Sequence, residues 1–368
     1  MATPRGFSFS NLGGGGARTP APTPSFVTAP SITTPTPSYP SASPERMGSI
    51  SYVAQAIKGS ESNHHQTAVD VYNRALELAG KILEKARTGE EIAGSEVGHT
   101  IDDIIRELTF ENNELLTMAC SQVLDEKSPD FLSAKLVNKT ILAVEIGIGK
   151  RMNKSKLFQL GMASFLSDLG ITHVLDIVTK KEVLNEEDWS RLRTISYKTV
   201  EILKKIPDLN KVVLTVAEES HERLDGSGPM GIKDIKQLDE FSRIVAVIDV
   251  FESLTHDRPH RPRNLPHEAM KIILEDGGKF EADVLRLLVD RIGIYPVGSW
   301  VRLTNKEVAK VVGSNPGQPL RPRIKVLFDE RGETLEDPQL VDLSKNLSIQ
   351  VSQPVSDDEL KKFVKPVD

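Results

Sequence analysis

From Gln66 to Arg87 the apolar residues Val71, Ala75, Leu78 and Ile82 recur at the 4-3-4 spacing of one helix face, and Thr88-Gly89 ends the run. Periodic runs continue at Thr100 to Leu108, Asn113 to Leu124 and Phe131 to Ile148, with short polar links between them and no strand-like alternation. Asn185-Glu186-Glu187-Asp188 supplies an asparagine cap and an acidic first turn for a helix carrying Trp189, Leu192, Ile195, Ile202 and Leu203. A further helix is predicted from Leu238 to Leu254. Helix therefore dominates to about residue 290, and the fold class is all-α.

Beyond Tyr295-Pro296-Val297-Gly298 the texture changes. Trp300 to Leu303, Glu307 to Val312 and Arg323 to Phe328 are short β-branched or alternating runs, split by turn residues at Thr304-Asn305 and Asn315-Pro316-Gly317. They predict a small antiparallel β appendage over 297–330, followed by a C-terminal tail over 331–368. Arg302, Lys306, Lys310, Arg321, Arg323 and Lys325 face only Glu307 between residues 297 and 327. A solvated strand face is the expected meaning of this local excess, and an anion-binding patch the alternative.

The other end of the chain has a different composition. The first 44 residues hold Pro at nine positions, a Gly13 to Gly16 run and only Arg5 and Arg18 as charged residues. Such a segment buries too little apolar surface to offset its ordering entropy, so residues 1–47 are expected to form a disordered tail. Residues 48–128 then form an N-terminal helical region, and 129–296 the main helical domain.

Charge and cysteine content exclude several classes. With 46 Lys+Arg against 52 Asp+Glu, a net charge of −6 disfavours a DNA-binding protein. Leu157 to Val178 is the most apolar long stretch, but Asp168, His173 and Asp176 interrupt it, so no membrane span is expected. Cys120 is the lone cysteine, which excludes an intrachain disulfide framework and any multi-cysteine zinc site. A buried thiol in a reducing cytoplasm is the expectation.

Two segments carry the chemistry. One is Ser220-His221-Glu222-Arg223-Leu224-Asp225-Gly226-Ser227-Gly228-Pro229, and the other is the apolar helix from Phe241 to Phe251 that contains Asp249. An unpaired carboxylate on that face would be expensive to bury, so Asp249 needs a cationic or backbone partner, or a metal ion.

Together with Ser167-Asp168-Leu169-Gly170, the run Leu254 to Arg261 and Tyr295 to Leu303, these segments resemble the HD-GYP branch of the HD-domain metal-dependent phosphohydrolases. The likeness runs from about residue 60 to 328. It implies an HD-domain helical bundle in which His and Asp side chains hold two or three metal ions that activate water against a phosphodiester, typically cyclic di-GMP. Three of the implied ligands are retained as Asp168, His221 and Asp249. Two histidines are replaced by Ser167 and Ser220. Two more fall at Lys135 or Val137 and at Ile195 or Ser196, depending on register, and no histidine lies between His99 and His173 or between His173 and His221. The family's lysine after its His-Asp pair stands here as Ile171, and Gly228 runs straight into Pro229 without the family's tyrosine.

Serine is a weak ligand beside imidazole, Val and Ile have no lone pair, and a lysine repels a cation. The expectation is thus a degenerate, catalytically inactive HD-GYP-like protein with no cofactor at full occupancy. It would act by binding a cyclic dinucleotide or a signalling protein in bacterial second-messenger signalling. The alternative is a phosphodiesterase with a reduced centre, one divalent ion such as iron or manganese on Asp168, His221 and Asp249, with His173 or His256 as substitute ligands. Arg223, Arg258 and Arg261 are candidates for an anion pocket, or for bracing the loop through a pair between Asp225 and an arginine. Without metal, Lys135 is the expected partner of Asp249.

Overall fold

The computed structural model describes residues 63–109, 113–120, 131–229, 237–360 and 363. The expected N-terminal tail and the Ser121 to Leu124 end of one expected helix lie outside these residues.

Twelve α-helices precede the sheet among the described residues: α1 (Asn63–Thr88), α2 (Gly94–Thr109), α3 (Glu114–Cys120), α4 (Phe131–Gly149), α5 (Lys154–Leu166), α6 (Leu175–Val178), α7 (Glu186–Leu192), α8 (Ile195–Leu203), α9 (Lys211–Glu219), α10 (Glu240–Thr255), α11 (Pro266–Glu275) and α12 (Ala282–Ile292). The 4-3-4 pattern of α1 becomes a buried stripe through Val71, Ala75 and Ile82, with Leu78 packed against the same core. Helix α4 is different, since fifteen of its nineteen residues are buried. A helix buried on nearly every face belongs at the centre of a bundle, and α4 packs against α1, α3, α5, α10 and α12.

Caps fix where the helices around α4 begin. Asn153 accepts from the Lys156 N–H at 2.9 Å, and Asp239 accepts from the Phe241 N–H at 2.8 Å to start α10. Asn185 and Asp188 form a reciprocal capping box at the start of α7. The single helix expected beyond that cap is two, because the chain turns at Arg193 and Thr194, whose hydroxyl donates to the Arg191 carbonyl at 2.7 Å. Ile195, Ile202 and Leu203 are buried as expected, whereas Trp189 is 54% exposed.

The C-terminal region corrects the expected boundaries. Strands β1 (Trp300–Leu303), β2 (Val308–Gly313) and β3 (Arg323–Phe328) are joined by β4 (Thr334–Asp342) and β5 (Val351–Pro354), and one turn of helix follows at α13 (Asp357–Leu360). The antiparallel sheet has order β4-β3-β2-β1-β5, so the expected tail over 331–368 supplies both edge strands. Those strands hide in the sequence because edges tolerate polar residues and proline, as Glu336, Asp337 and Pro338 in β4 illustrate. Val301, Ala309, Val311, Ile324 and Val326 fill one face of the sheet, while Val308, Leu327, Phe328 and Val355 pack on the other.

Cys120 is buried, and burial pushes its thiol up to about 12, which keeps it an inert thiol. None of the described helices is long and apolar enough to cross a membrane.

Candidate functional site

Four elements converge on one buried cluster. Lys135 and Lys139 are one helical turn apart on α4, so both side chains leave the same face. Asp168 follows Ser167 at the end of α5, His221 follows the C-cap Ser220 of α9, and Asp249 lies in the third turn of α10. Gly170 lets the chain after Asp168 press against α8, because a Cβ there would lie 2.2 Å from the Ile195 carbonyl oxygen. The Gly170 N–H donates to the Thr199 hydroxyl at 2.9 Å, tying the same turn to α8.

The lysines fill the centre. Lys139 Nζ donates to Asp168 Oδ2 at 2.7 Å and to Ser167 Oγ at 2.8 Å, and its side chain is fully buried. Lys135 Nζ pairs with Asp168 Oδ2 at 2.7 Å and with Asp249 Oδ1. His221 Nε2 lies 3.0 Å from Asp168 Oδ1, and its Nδ1 lies 3.7 Å from Asp249 Oδ2. Two ammonium groups thus face two carboxylates, a balance that leaves no net charge among the four.

Electrostatics hold this arrangement ionised. Burial alone would raise Asp168, but Lys135, Lys139 and the hydrogen bond from His221 hold its carboxyl well below the usual range. Burial opposes the charge on Lys135, yet Asp168, Asp249 and Glu252 outweigh it and leave the ammonium raised. Asp249 is lowered in the same way, with burial overcome chiefly by Lys135.

An ammonium has three donors and no lone pair, so neither lysine can ligate a cation. Both oxygens of Asp168 are already committed, one to the lysines and one to His221. The residues present do not fit a divalent metal. Among the described residues no group of three or more His, Cys, Asp or Glu side chains is placed to hold one.

Of the two positions that the sequence leaves open on α4, only Lys135 hydrogen-bonds into this cluster; Val137 is a fully buried core residue. Ile195 belongs to the same hydrophobic core, and the Ser196 and Ser220 hydroxyls are buried without a hydrogen-bond partner. The substitute ligands lie elsewhere. His173 is exposed beside Thr172, and His256 sits in a separate network.

That network runs through α10 and escaped the sequence. The Tyr72 hydroxyl donates to Asn138 Oδ1 at 2.7 Å, and Asn138 Nδ2 lies 3.2 Å from His256 Nε2. His256 Nδ1 is 2.9 Å from the Glu252 carbonyl oxygen, and the Glu252 carboxylate receives Arg258 Nη2 at 2.5 Å. Arg258 is therefore occupied with a fully buried glutamate. Arg261 donates to the Ser253 carbonyl at 2.5 Å, and Arg223 donates to the Glu222 carbonyl while its guanidinium lies 5.2 Å from the Phe280 ring centroid. Asp225 accepts from the Ser227 N–H at 2.9 Å rather than from an arginine, an Asx turn that a short loop forms locally. Gly228 is required because a Cβ there would lie 2.6 Å from Glu222 Cα. For Lys139 the signal was available, since a second lysine four residues after Lys135 in an otherwise apolar helix needs a buried counter-charge.

A helical bundle with this site and an attached antiparallel sheet defines the class, and the comparisons agree. Residues 120–284 match the HD domain, and residues 300–363 match the KOW domain associated with HD domain. The chain carries an HD domain, and its similarity to proteins named cyclic di-GMP phosphodiesterase supports a place in the HD-GYP family. It is 27% identical over 277 residues to cyclic di-GMP phosphodiesterase PA4108 of Pseudomonas aeruginosa, covering 74% of this chain and 65% of that protein. Against cyclic di-GMP phosphodiesterase PdeB of Borreliella burgdorferi the identity is 24%, covering 62% of this chain and 58% of the relative. Against 3'3'-cGAMP-specific phosphodiesterase 1 of Vibrio cholerae it is 30%, covering 50% and 43%. The chain thus spans less than two thirds of the length of these curated relatives. Bd1817, a HDG"Y"P protein from Bdellovibrio bacteriovorus, shares the fold with a TM-score of 0.50 at 15% identity, over 66% of this chain and 78% of that one.

Proposed function

We propose that this chain is a non-catalytic regulator built on the HD-GYP fold, which binds a cyclic dinucleotide or a partner protein in bacterial second-messenger signalling in the cytoplasm. The observation that supports it is the placement of Lys135 and Lys139 between Asp168 and Asp249. Two ammonium groups carry the same charge as one divalent ion, so the carboxylates are neutralised without a metal. What they do not supply is a polarised water, since an ammonium has no open coordination position from which to lower the pKa of a bound water.

The activities of the relatives favour a second reading, a metal-dependent phosphodiesterase with a reduced centre on Asp168, His221 and Asp249. That reading requires both lysines to leave the carboxylates. Elemental analysis of the purified protein, paired with hydrolysis assays on cyclic di-GMP and 3'3'-cGAMP in added manganese or iron, separates the two. The regulator reading expects less than about one tightly bound transition metal per chain and no linear product. Two ions per chain, or metal-dependent hydrolysis, overturns it.

A further inference from the structure

A second cluster of cations lies away from this centre, where α3 meets the sheet. A cavity of about 450 Å³ opens there, bounded by Asn113 and Glu114 on one side and by Lys310, Arg323, Lys325 and Asp342 on the other. The β2–β3 register sets Lys310 directly opposite Lys325, and Arg323 follows two residues away on the same face. Like charges in direct cross-strand pairing repel, so this arrangement costs the fold stability unless something negative sits between them.

Among the described residues that negative group is not supplied in full. Among the described residues, no salt bridge or side-chain hydrogen bond reaches Lys310, Lys325 or Arg323; the Lys310 ammonium lies 5.9 Å from the Trp300 ring centroid. Asp342 is committed to the Asn315 amide at 2.8 Å and to the Ser344 hydroxyl at 2.7 Å. Glu114 is the remaining carboxylate that faces the cavity, and its field on Lys310 is set against that of Lys325. Two basic residues of this region outside the cavity are satisfied instead: Arg302 pairs with Glu359 at 2.5 Å, and Arg321 donates to the Leu343 carbonyl at 3.1 Å. Asn113 holds the two walls together by donating to the Val312 carbonyl at 3.2 Å.

We propose that this cavity binds a small phosphate-bearing ligand of mononucleotide size, with its phosphate oxygens held by Lys310, Lys325 and Arg323. The volume falls within the range of small-molecule sites, and the cluster offers both point-charge and forked donors to a phosphate. Apolar atoms of the half-buried Val312, two residues from Lys310 along β2, line the same cavity and give a nucleoside a surface to cover. The site is separate from the lysine–carboxylate centre and does not rest on the function proposed above.

Calorimetric titration of the full chain with GMP, with pyrophosphate and with guanosine tests it. GMP and pyrophosphate are expected to bind saturably, to compete with each other, and to bind at least about tenfold more weakly to K310Q, K325Q and R323Q. Guanosine is expected not to bind. Because K310Q and K325Q remove a repulsion, their melting temperatures without ligand should equal or exceed that of the parent, and R323Q alters an exposed side chain. The proposal is overturned if neither probe saturates in the millimolar range or if the three variants bind GMP like the parent. It is also overturned if a single-stranded RNA binds with affinity that grows with length while GMP fails to displace it.

Discussion

In the helical domain Lys135 and Lys139 are enclosed between Asp168 and Asp249, each ammonium within ion-pair distance of a carboxylate, whereas in the sheet Lys310 and Lys325 face each other with no carboxylate of the described residues at that distance. The difference shows what burial demands of a charge. A fully buried lysine such as Lys139 is retained only where the fold itself provides the counter-charge. A half-buried lysine at a cavity mouth keeps enough contact with water to remain uncompensated. The first cluster contributes to folding, and the second is available to a ligand.

The largest effect should come from breaking the first cluster. Lys139→Met leaves Asp168 buried with one cation fewer, and urea denaturation is expected to show a loss of about 3 to 5 kcal/mol, the scale for removing one partner from a buried ion pair. A loss below about 1 kcal/mol would show that Lys139 is not part of the structural charge balance.

Asp249→Asn is the milder cut, because Lys135 keeps Asp168. It should cost about 1 to 3 kcal/mol with or without added metal. If the variant instead melts like the parent in chelator and loses a metal-dependent rise in melting temperature, Asp249 is a ligand and the comparison between the two clusters fails.

Replacing Ser167→His and Ser220→His together should raise metal content only partly, because the two ammonium groups still occupy the carboxylates and the ligand positions near Lys135 and Ile195 remain empty of imidazole. Elemental analysis reads this directly, and full recovery of hydrolysis from that pair of changes would sink the idea that the lysines block the centre.

The smallest effect concerns pH and the sheet. Burial, opposed by Glu114 and reinforced by Lys325, pushes Lys310 below the usual lysine range. Between that lowered value and the unfolded value of about 10.4, the unfolded chain binds more protons than the folded one, so Lys310 makes stability rise with pH in this window. K310Q should lose that rise, seen as a parent-minus-variant difference in denaturation midpoint that changes in the parent's favour as pH increases. A difference independent of pH would place Lys310 in open solvent.

Much of the candidate site was legible in the sequence. The 3.6-residue periodicity marked the helices, and the carboxylate on the apolar face of α10 demanded a partner whatever the alignment, which is why Lys135 opposite Asp249 could be anticipated. Lys139 was not anticipated, because its role depends on the one-turn spacing from Lys135 being aimed at Asp168 across the bundle. The Tyr72–Asn138–His256–Glu252–Arg258 network was hidden for a similar reason, since its members are up to 118 residues apart along the chain in a single hydrogen bond.

The sequence alone determined a helical bundle with a basic β region and a carboxylate on an apolar helix in need of a partner, because periodicity and side-chain chemistry are local properties. Only the tertiary structure decided how charges are shared. It committed Arg258 and Arg261 to the fold, brought the polar, proline-containing segment Thr334–Asp342 into the sheet as an edge, and gave Lys139 a carboxylate in ion-pair contact while setting Lys310 opposite Lys325. Those outcomes depend on which elements approach one another, and electrostatic energy in a low-dielectric interior depends on that distance far more than on the identity of the residues that carry the charge.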